Sequence, residues 1–219
     1  MLENLIEKLE KKLNENLIDA RVEPCTLPEC SNLSLYLINS DYPQHNLSHT
    51  DAAALMENPP FWSFCWASGH ILAQHLLQSP DLVKNKVVVD FGSGSGVVAI
   101  AAVMAGAKKV IACDIDPIAQ TAIKSNALLN KVSLNICGDI NSIKEKADIL
   151  TAADVLYDKE NFPLLDLFHA HAQQVIVADS RVKNFPGTDY RLIKTKDSQT
   201  IPDMNEFDEF KTVRIYQYN

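Results

Sequence analysis

A short run, Lys86 to Gly96 (KVVVDFGSGSG), constrains this chain more than any other stretch. Three valines lead into an aspartate, and glycine then stands at every second position, 92, 94 and 96. Valine repeats of this kind suit a strand buried on both faces, as strands of parallel sheets are. Glycines let the backbone turn sharply and leave no Cβ between the chain and a ligand. Val97 to Ala105 reads as helix, and a helix N-terminus offers unpaired N–H groups. Strand, glycine turn and helix start together describe a small-molecule site, with a turn that binds nothing as the competing reading.

The rest of the chain repeats that unit. Strands are expected at 86–91, 108–114, 132–137, 147–154 and 175–180, with helices at 95–105, 117–130 and 159–172. Pro117 suits the first turn of its helix. Strand–helix alternation with short links implies an α/β parallel sheet. The last two strand-like runs, 190–195 and 212–218, have no helix between them and read as an antiparallel pair. The expected fold is therefore a Rossmann-like, doubly wound, mostly parallel seven-stranded sheet with an antiparallel C-terminal strand and an N-terminal helical extension. Residues 1–60 would form the extension and 61–219 the core of one overall domain, a division that suits 219 residues.

Within the extension, Leu2, Leu5, Ile6, Leu9 and Leu13 fall at helical spacing. Such a helix either packs on its own domain or binds a partner. LSLYLI at 33–38 reads as extended, 41–49 as irregular, and TDAAALME at 50–57 as helix. HILAQHLLQ at 70–78 reads as a helix stopped by Pro80. No apolar run reaches membrane-spanning length, and acids and lysines interrupt the start, unlike a signal peptide. A net charge of −8 argues against a large nucleic-acid footprint. Five irregularly spaced cysteines make no paired zinc motif, so no metal is expected. Cys113 and Cys137 read as small core residues, and a reducing cytoplasm fits best.

Spacing selects the ligand. A dinucleotide fingerprint needs G-x-G-x-x-G, and Val97 stands where the last glycine would fall. Asp90-x-Gly92-x-Gly94-x-Gly96 resembles instead the first motif of class I S-adenosylmethionine (AdoMet) methyltransferases. Asp90 would orient the ammonium of the methionine portion, through water. Asp114 ends the second strand and can accept from both ribose hydroxyls. Asp114 or Asp116 can alternatively cap the helix at Pro117, and two acids allow both jobs. Asp139 follows the third strand and can accept from the adenine amine, with Ile115 and Ile140 flanking the ring. The alternative for Asp139 is a turn aspartate after glycine. Asp154 and Tyr157, three apart after the fourth strand, stand where the methyl group meets its acceptor. A carboxylate there can stabilise positive charge on an attacking amine, and Asp154 as a cap is the alternative. His169 and His171 share no helix face and read as surface or boundary residues.

Asn58-Pro59-Pro60-Phe61 looks like the N-P-P-[FY] tetrapeptide of adenine and glutamine N-methyltransferases. It precedes the glycine motif and follows a helical run, so that reading needs a permuted order. A closer resemblance lies in PPFWSFCWASGHILAQHLL, VVVDFGSGSGVVAIAAVMAGAKKVIACDIDPIA and ADVLYD. Together these resemble the electron-transfer-flavoprotein β-subunit lysine methyltransferase family, over roughly residues 20–180. Trp66 to Gly69 matches its W-x-G-G-type segment, Asp116 to Ala119 its D-P-I-A run, and Asp154 to Tyr157 its D-x-x-Y motif. The chain departs from the pattern at Ala67-Ser68-Gly69, where two glycines are usual, and at Asp179-Ser180-Arg181, where a D-P-x-R-type turn is usual.

The resemblance implies an AdoMet-dependent protein-lysine methyltransferase, releasing S-adenosylhomocysteine, with electron-transfer flavoprotein as the favoured partner. Asp154 and Tyr157 would serve the target lysine in a channel walled by Trp62, Tyr157 and Phe61. Trp66, Asp90, Gly92, Ser93, Gly94, Asp114, Ile115, Asp139, Ile140 and Ala153 would hold the cofactor. Methylation of a small molecule or another protein, or AdoMet binding without catalysis, are the competing functions.

Overall fold

The computed structural model describes residues 2–42, 59–203 and 208–218. The helix expected at 50–57, most of the irregular stretch 41–49, and Asn58 lie outside the described residues. Helix α1 (Leu2–Leu13) leads to β1 (Val22–Leu27) and β2 (Cys30–Ile38). After a short 3₁₀ turn at Phe61–Ser63 come α2 (Ala67–Gln78), β3 (Val87–Phe91), α3 (Val97–Met104), β4 (Lys109–Cys113) and α4 (Pro117–Leu129). Then follow β5 (Asn135–Cys137), β6 (Ala147–Ala153), α5 (Leu164–His171), β7 (Ala172–Asp179), β8 (Arg191–Asp197) and β9 (Thr212–Tyr218).

Seven strands form one sheet in the order β5-β4-β3-β6-β7-β9-β8. β3, β4, β5, β6 and β7 pair in parallel, while β9 runs antiparallel to both β7 and β8. This is the expected fold class, with β9 as the reversed strand. The inner strands β3, β4, β6 and β7 are buried on both faces, and their alternation is visible in the sequence. Val88, Val110, Ala112, Ile149, Ile176 and Ala178 join the core shared with α2, α3 and β2. Their neighbours Val89, Ile111, Leu150, Val175 and Val177 join the opposite core with Leu165 and Phe168 of α5. Helix α3 is apolar all round, and six of its eight residues are buried, as such a helix requires.

Several boundaries differ from the sequence expectation. β5 spans only Asn135–Cys137, because Lys131 takes a left-handed φ of 56° and Val132 N–H still bonds back to Ala127 O of α4. The helix expected at 159–172 divides into a 3₁₀ turn, Lys159–Asn161, and α5, because Pro163 caps the latter. β7 begins three residues early, at Ala172, where its register with Ala147 starts.

The extension holds a two-stranded hairpin as well as a helix. β1 was not expected, and its Pro24 suits an edge strand. Two asparagines of α4 cover the open edge of β2: Ser34 N–H donates to Asn130 Oδ1 at 3.0 Å and Tyr36 N–H to Asn126 Oδ1 at 2.6 Å. Asn126 Nδ2 in turn donates to Ser95 O in the glycine turn at 2.8 Å. Leu9 and Leu13 of α1 pack with Ala119, Ala122, Trp62 and Phe64. Among the described residues no helix is long and apolar enough to cross a membrane.

We propose that the extension and the core unfold as one domain. Leu9→Ala then lowers stability by about 2–5 kcal/mol, the usual cost of a large-to-small core change. Urea denaturation followed by fluorescence and circular dichroism should show one coincident transition for both proteins; two separated transitions would disprove the single unit.

Candidate active site

The glycine turn is fixed from below by one buried carboxylate. Asp90 ends β3 and is 2% exposed. Its Oδ2 accepts from Ser93 Oγ at 2.5 Å and from Ala99 N–H of α3 at 3.2 Å, and its Oδ1 accepts from Thr151 Oγ1 of β6 at 2.8 Å. Burial raises its pKa to about 6, against the opposing pull of those donors. These hydrogen bonds tie the glycine turn, α3 and β6 to the end of β3.

Gly92 adopts φ +62°, and a Cβ there would lie 2.8 Å from Val155 Cγ1. Gly96 caps α3 at φ +82°. Around the turn lies an open cleft whose lining includes Trp66, Asp90, Gly92, Ser93, Gly94 and Ala153. All six were expected at the cofactor site. Asp114 sits beside them, its Oδ2 accepting Gly94 N–H at 2.8 Å and its Oδ1 accepting Asp116 N–H at 3.0 Å. Burial raises its pKa as well. Asp116 caps α4 through Ile118 N–H at 2.8 Å, the capping job that the pair of acids allows.

The last three residues separate. Ile115 is 87% exposed at the sheet's carboxyl edge, an apolar side chain open to a planar ring. Asp139 is exposed and caps the turn Ile140–Ser142 through Asn141 N–H at 2.9 Å. Ile140 is 4% exposed and belongs to the same core cluster as Val89 and Leu150.

Asp154 follows β6 in a left-handed conformation, φ 51°, which a non-glycine residue holds only when its surroundings enforce it. Ser68 and Ser180 enforce it. Ser68 Oγ and Ser180 Oγ donate to Asp154 Oδ1 at 2.7 and 2.8 Å, and Ser180 N–H at 3.0 Å. Ser68 N–H reaches Oδ2 at 3.2 Å. These donors lie on α2 and beyond β7, so Asp154 does not cap the turn after it. Asp158 performs that task through Glu160 N–H.

Aromatic rings stand beside this carboxylate. Tyr157 is 60% exposed, with its ring centroid 5.7 Å from Phe61, and Phe61 lies 5.8 Å from Trp66. Trp66 Nε1 donates to Phe61 O at 2.9 Å. The Arg181 guanidinium lies 5.6 Å from the Trp66 ring centroid and 4.3 Å from that of Phe210. Trp62 does not belong to this wall. It is 2% exposed and packs with α1 and α4, because the 3₁₀ turn rotates Phe61 outward and Trp62 inward. His169 stacks on Tyr218 at 3.9 Å and bonds Tyr190 Oη, a boundary residue far from this constellation in role.

Sequence reasoning missed Ser68 and Ser180 as partners of Asp154. The available signal was the two departures from the family pattern: each brings a serine whose hydroxyl reaches Asp154.

Gly92→Ala should destabilise the protein by about 1–3 kcal/mol, since it combines a left-handed φ with a close approach to Val155. Calorimetric AdoMet binding should weaken at least tenfold; wild-type affinity with an unchanged melting temperature would refute the cramped turn. Asp114→Ala should abolish measurable AdoMet binding, and an unchanged calorimetric affinity would remove Asp114 from the site.

The sequence model of the ribosomal protein L11 methyltransferase (PrmA) family matches residues 72–159. A crystal structure of ribosomal protein L11 methylase from Lactobacillus delbrueckii subsp. bulgaricus superposes with a TM-score of 0.54 at 22% identity. It covers 69% of this chain and 78% of that one, a likeness of fold. Human electron transfer flavoprotein beta subunit lysine methyltransferase is 36% identical over 139 residues, 58% of this chain and 52% of its own. This chain thus spans about half the length of the first curated relatives it matches. The Caenorhabditis elegans homolog of that enzyme is 31% identical over 169 residues, covering 67% of this chain and 68% of the homolog. With its glycine turn and post-strand carboxylate in the places described, the chain belongs to the electron transfer flavoprotein beta subunit lysine methyltransferase family.

Proposed function

We propose that this chain is an enzyme that transfers a methyl group from AdoMet to a protein lysine, with the electron-transfer flavoprotein β subunit as the favoured substrate. One observation carries the reading. The cleft at the glycine turn and the carboxylate of Asp154 meet through a shared wall, since Trp66 and Ala153 line the cleft while their neighbours Ser68 and Asp154 hydrogen-bond.

The cleft residues fit AdoMet. Gly92 keeps a close backbone approach open, Asp114 presents a carboxylate at the end of β4, and Ile115 offers an apolar face. AdoMet supplies an electrophilic methyl group on a sulfonium. The chain's own residues supply position and field. A lysine amine has a reference pKa of about 10.4 and must lose a proton before it attacks. Phe61, Trp66 and Tyr157 reduce water around it, which favours the neutral amine. Asp154, held by Ser68 and Ser180, offers its less occupied Oδ2 to the nitrogen as positive charge develops there. Fixing the amine in line with the methyl group is the larger contribution.

The net charge of −8 supports a protein rather than a nucleic acid as acceptor. All five cysteines are free thiols, which supports a reducing, cytoplasmic setting.

Mass spectrometry of the flavoprotein β subunit after incubation with this protein and AdoMet should show one or more added methyl groups on lysine. Label passing from AdoMet only to small solutes would identify a small-molecule methyltransferase, and no transfer at all a binding module. Asp154→Asn should keep AdoMet affinity within about twofold and lose about 100-fold or more in kcat, the usual loss for a group that supports developing charge. Full activity would remove Asp154 from the chemistry.

A further inference from the structure

Asp179 closes β7 with a buried charge that the fold does not use. It is 1% exposed. Its Oδ1 accepts the N–H groups of Arg181 and Val182 at 2.8 and 2.7 Å. Its Oδ2 is buried and, among the described residues, has no hydrogen-bond partner. An unmatched buried carboxylate oxygen costs folding free energy and calls for a reason. Asp90 is the comparison within the same molecule, because Ser93, Ala99 and Thr151 occupy both of its oxygens.

The position of Asp179 supplies the reason. Ala153 and Ala178 are register partners on β6 and β7, so Asp154 and Asp179 follow side by side at the two carboxyl ends. Ser180, the next residue, donates twice to Asp154 Oδ1. Both acids lie on the β6–β7 side of the sheet, while the glycine turn and Asp114 lie on the β3–β4 side. The other charged and titratable groups facing Asp179 are Arg181 in its own turn, Arg214, its register partner on β9, and Tyr216 two residues further along. Burial first, and the Asp154 charge second, raise the pKa of Asp179 to about 6 against the pull of Arg181 and of the two N–H donors.

We propose that Asp179 is a positioning residue for the acceptor, acting through Asp154: its buried charge adds to the negative potential that draws the target lysine, arriving as an ammonium, toward Asp154 Oδ2, where it loses its proton before attack. A charge in a low-dielectric wall acts across such a distance far more strongly than one in water. The inference rests on the lysine-methylation reading above.

Asp179→Asn keeps Oδ1 for the two backbone N–H groups, removes the charge and puts an amide NH2 in place of the unmatched Oδ2. At pH 8 and saturating AdoMet, KM for the protein substrate should rise about tenfold with kcat within about twofold. Calorimetric AdoMet affinity should not change. The sign of the stability effect follows from the raised pKa. The folded chain binds this proton more tightly than the unfolded chain, whose reference value is about 3.9, so the group's contribution to stability falls as pH rises through about 6. The variant should therefore melt about 2–4 °C higher at pH 8. In the wild type, kcat/KM should show an added downturn as pH falls through about 6, and the variant should lack it.

A wild-type chain active on protein lysine with no such downturn overturns the inference without any variant. An Asp179→Asn protein with wild-type KM, or one that melts lower and loses AdoMet affinity, overturns it too. A wild-type chain that methylates no protein overturns the function proposed above, and this inference falls with it.

Discussion

The buried carboxylate of Asp90 is the fastening on which the rest of the site depends. Three separate elements hydrogen-bond to it: Ser93 in the glycine turn, Ala99 on α3 and Thr151 on β6. A carboxylate accepts at two oxygens and forms stronger hydrogen bonds than a neutral amide oxygen. It can therefore bind a loop, a helix and a neighbouring strand to the end of β3 at once. Ser93 N–H bonds Cys113 O and Gly94 N–H bonds Asp114 Oδ2, which extends the same fastening to β4. The cleft is consequently shaped by the sheet and not by a freely moving loop.

β3 and β6 are adjacent in the sheet, and the chain order reverses between them. Ligands of open α/β sheets collect at such a reversal, outside the strands' carboxyl ends. Here the reversal also separates two electrostatic tasks. On the β3–β4 side, each carboxylate is tied to protein N–H or O–H groups. On the β6–β7 side, Asp154 is held by two serines and Asp179 keeps one oxygen unmatched among the described residues. Burial raises the pKa of Asp90 and Asp114 in the first corner and of Asp179 in the second, so both corners carry a desolvation cost. Functional sites are where such costs are retained.

The sheet was legible because its alternation is local. Val88 and Val89 face opposite cores, and the same pattern recurs on β4, β6 and β7. The glycine turn was legible because few sequences combine an aspartate with three alternating glycines. β1 was not, because VEPCTL has little strand character apart from its partner β2. The burial of Ile140 was not legible, because sequence distance from a strand end does not reveal which way a side chain points after a turn. Trp62 and Phe61 were confused for a similar reason: one step along a 3₁₀ turn exchanges core for surface. Ser68 and Ser180 lie 112 positions apart in sequence. Only the crossing of α2 over β6 and β7 brings both to Asp154, and no local pattern encodes that meeting.

Asn126 and Asn130 give the N-terminal hairpin a lateral neighbour that is not a strand. Residues four apart on a helix advance about 6.0 Å. Residues two apart on a strand advance about 6.6–6.8 Å. The two spacings are nearly commensurate for one repeat and drift apart over several. A helix can thus imitate the edge of a sheet for two successive hydrogen-bonding positions, which is what Ser34 and Tyr36 receive. Asn126 also holds Ser95 O, so the hairpin and the glycine turn are gripped by opposite ends of one amide. The hairpin is in this sense an outer buttress of the cleft, and the position of a segment far upstream in sequence is written into the backbone of the turn.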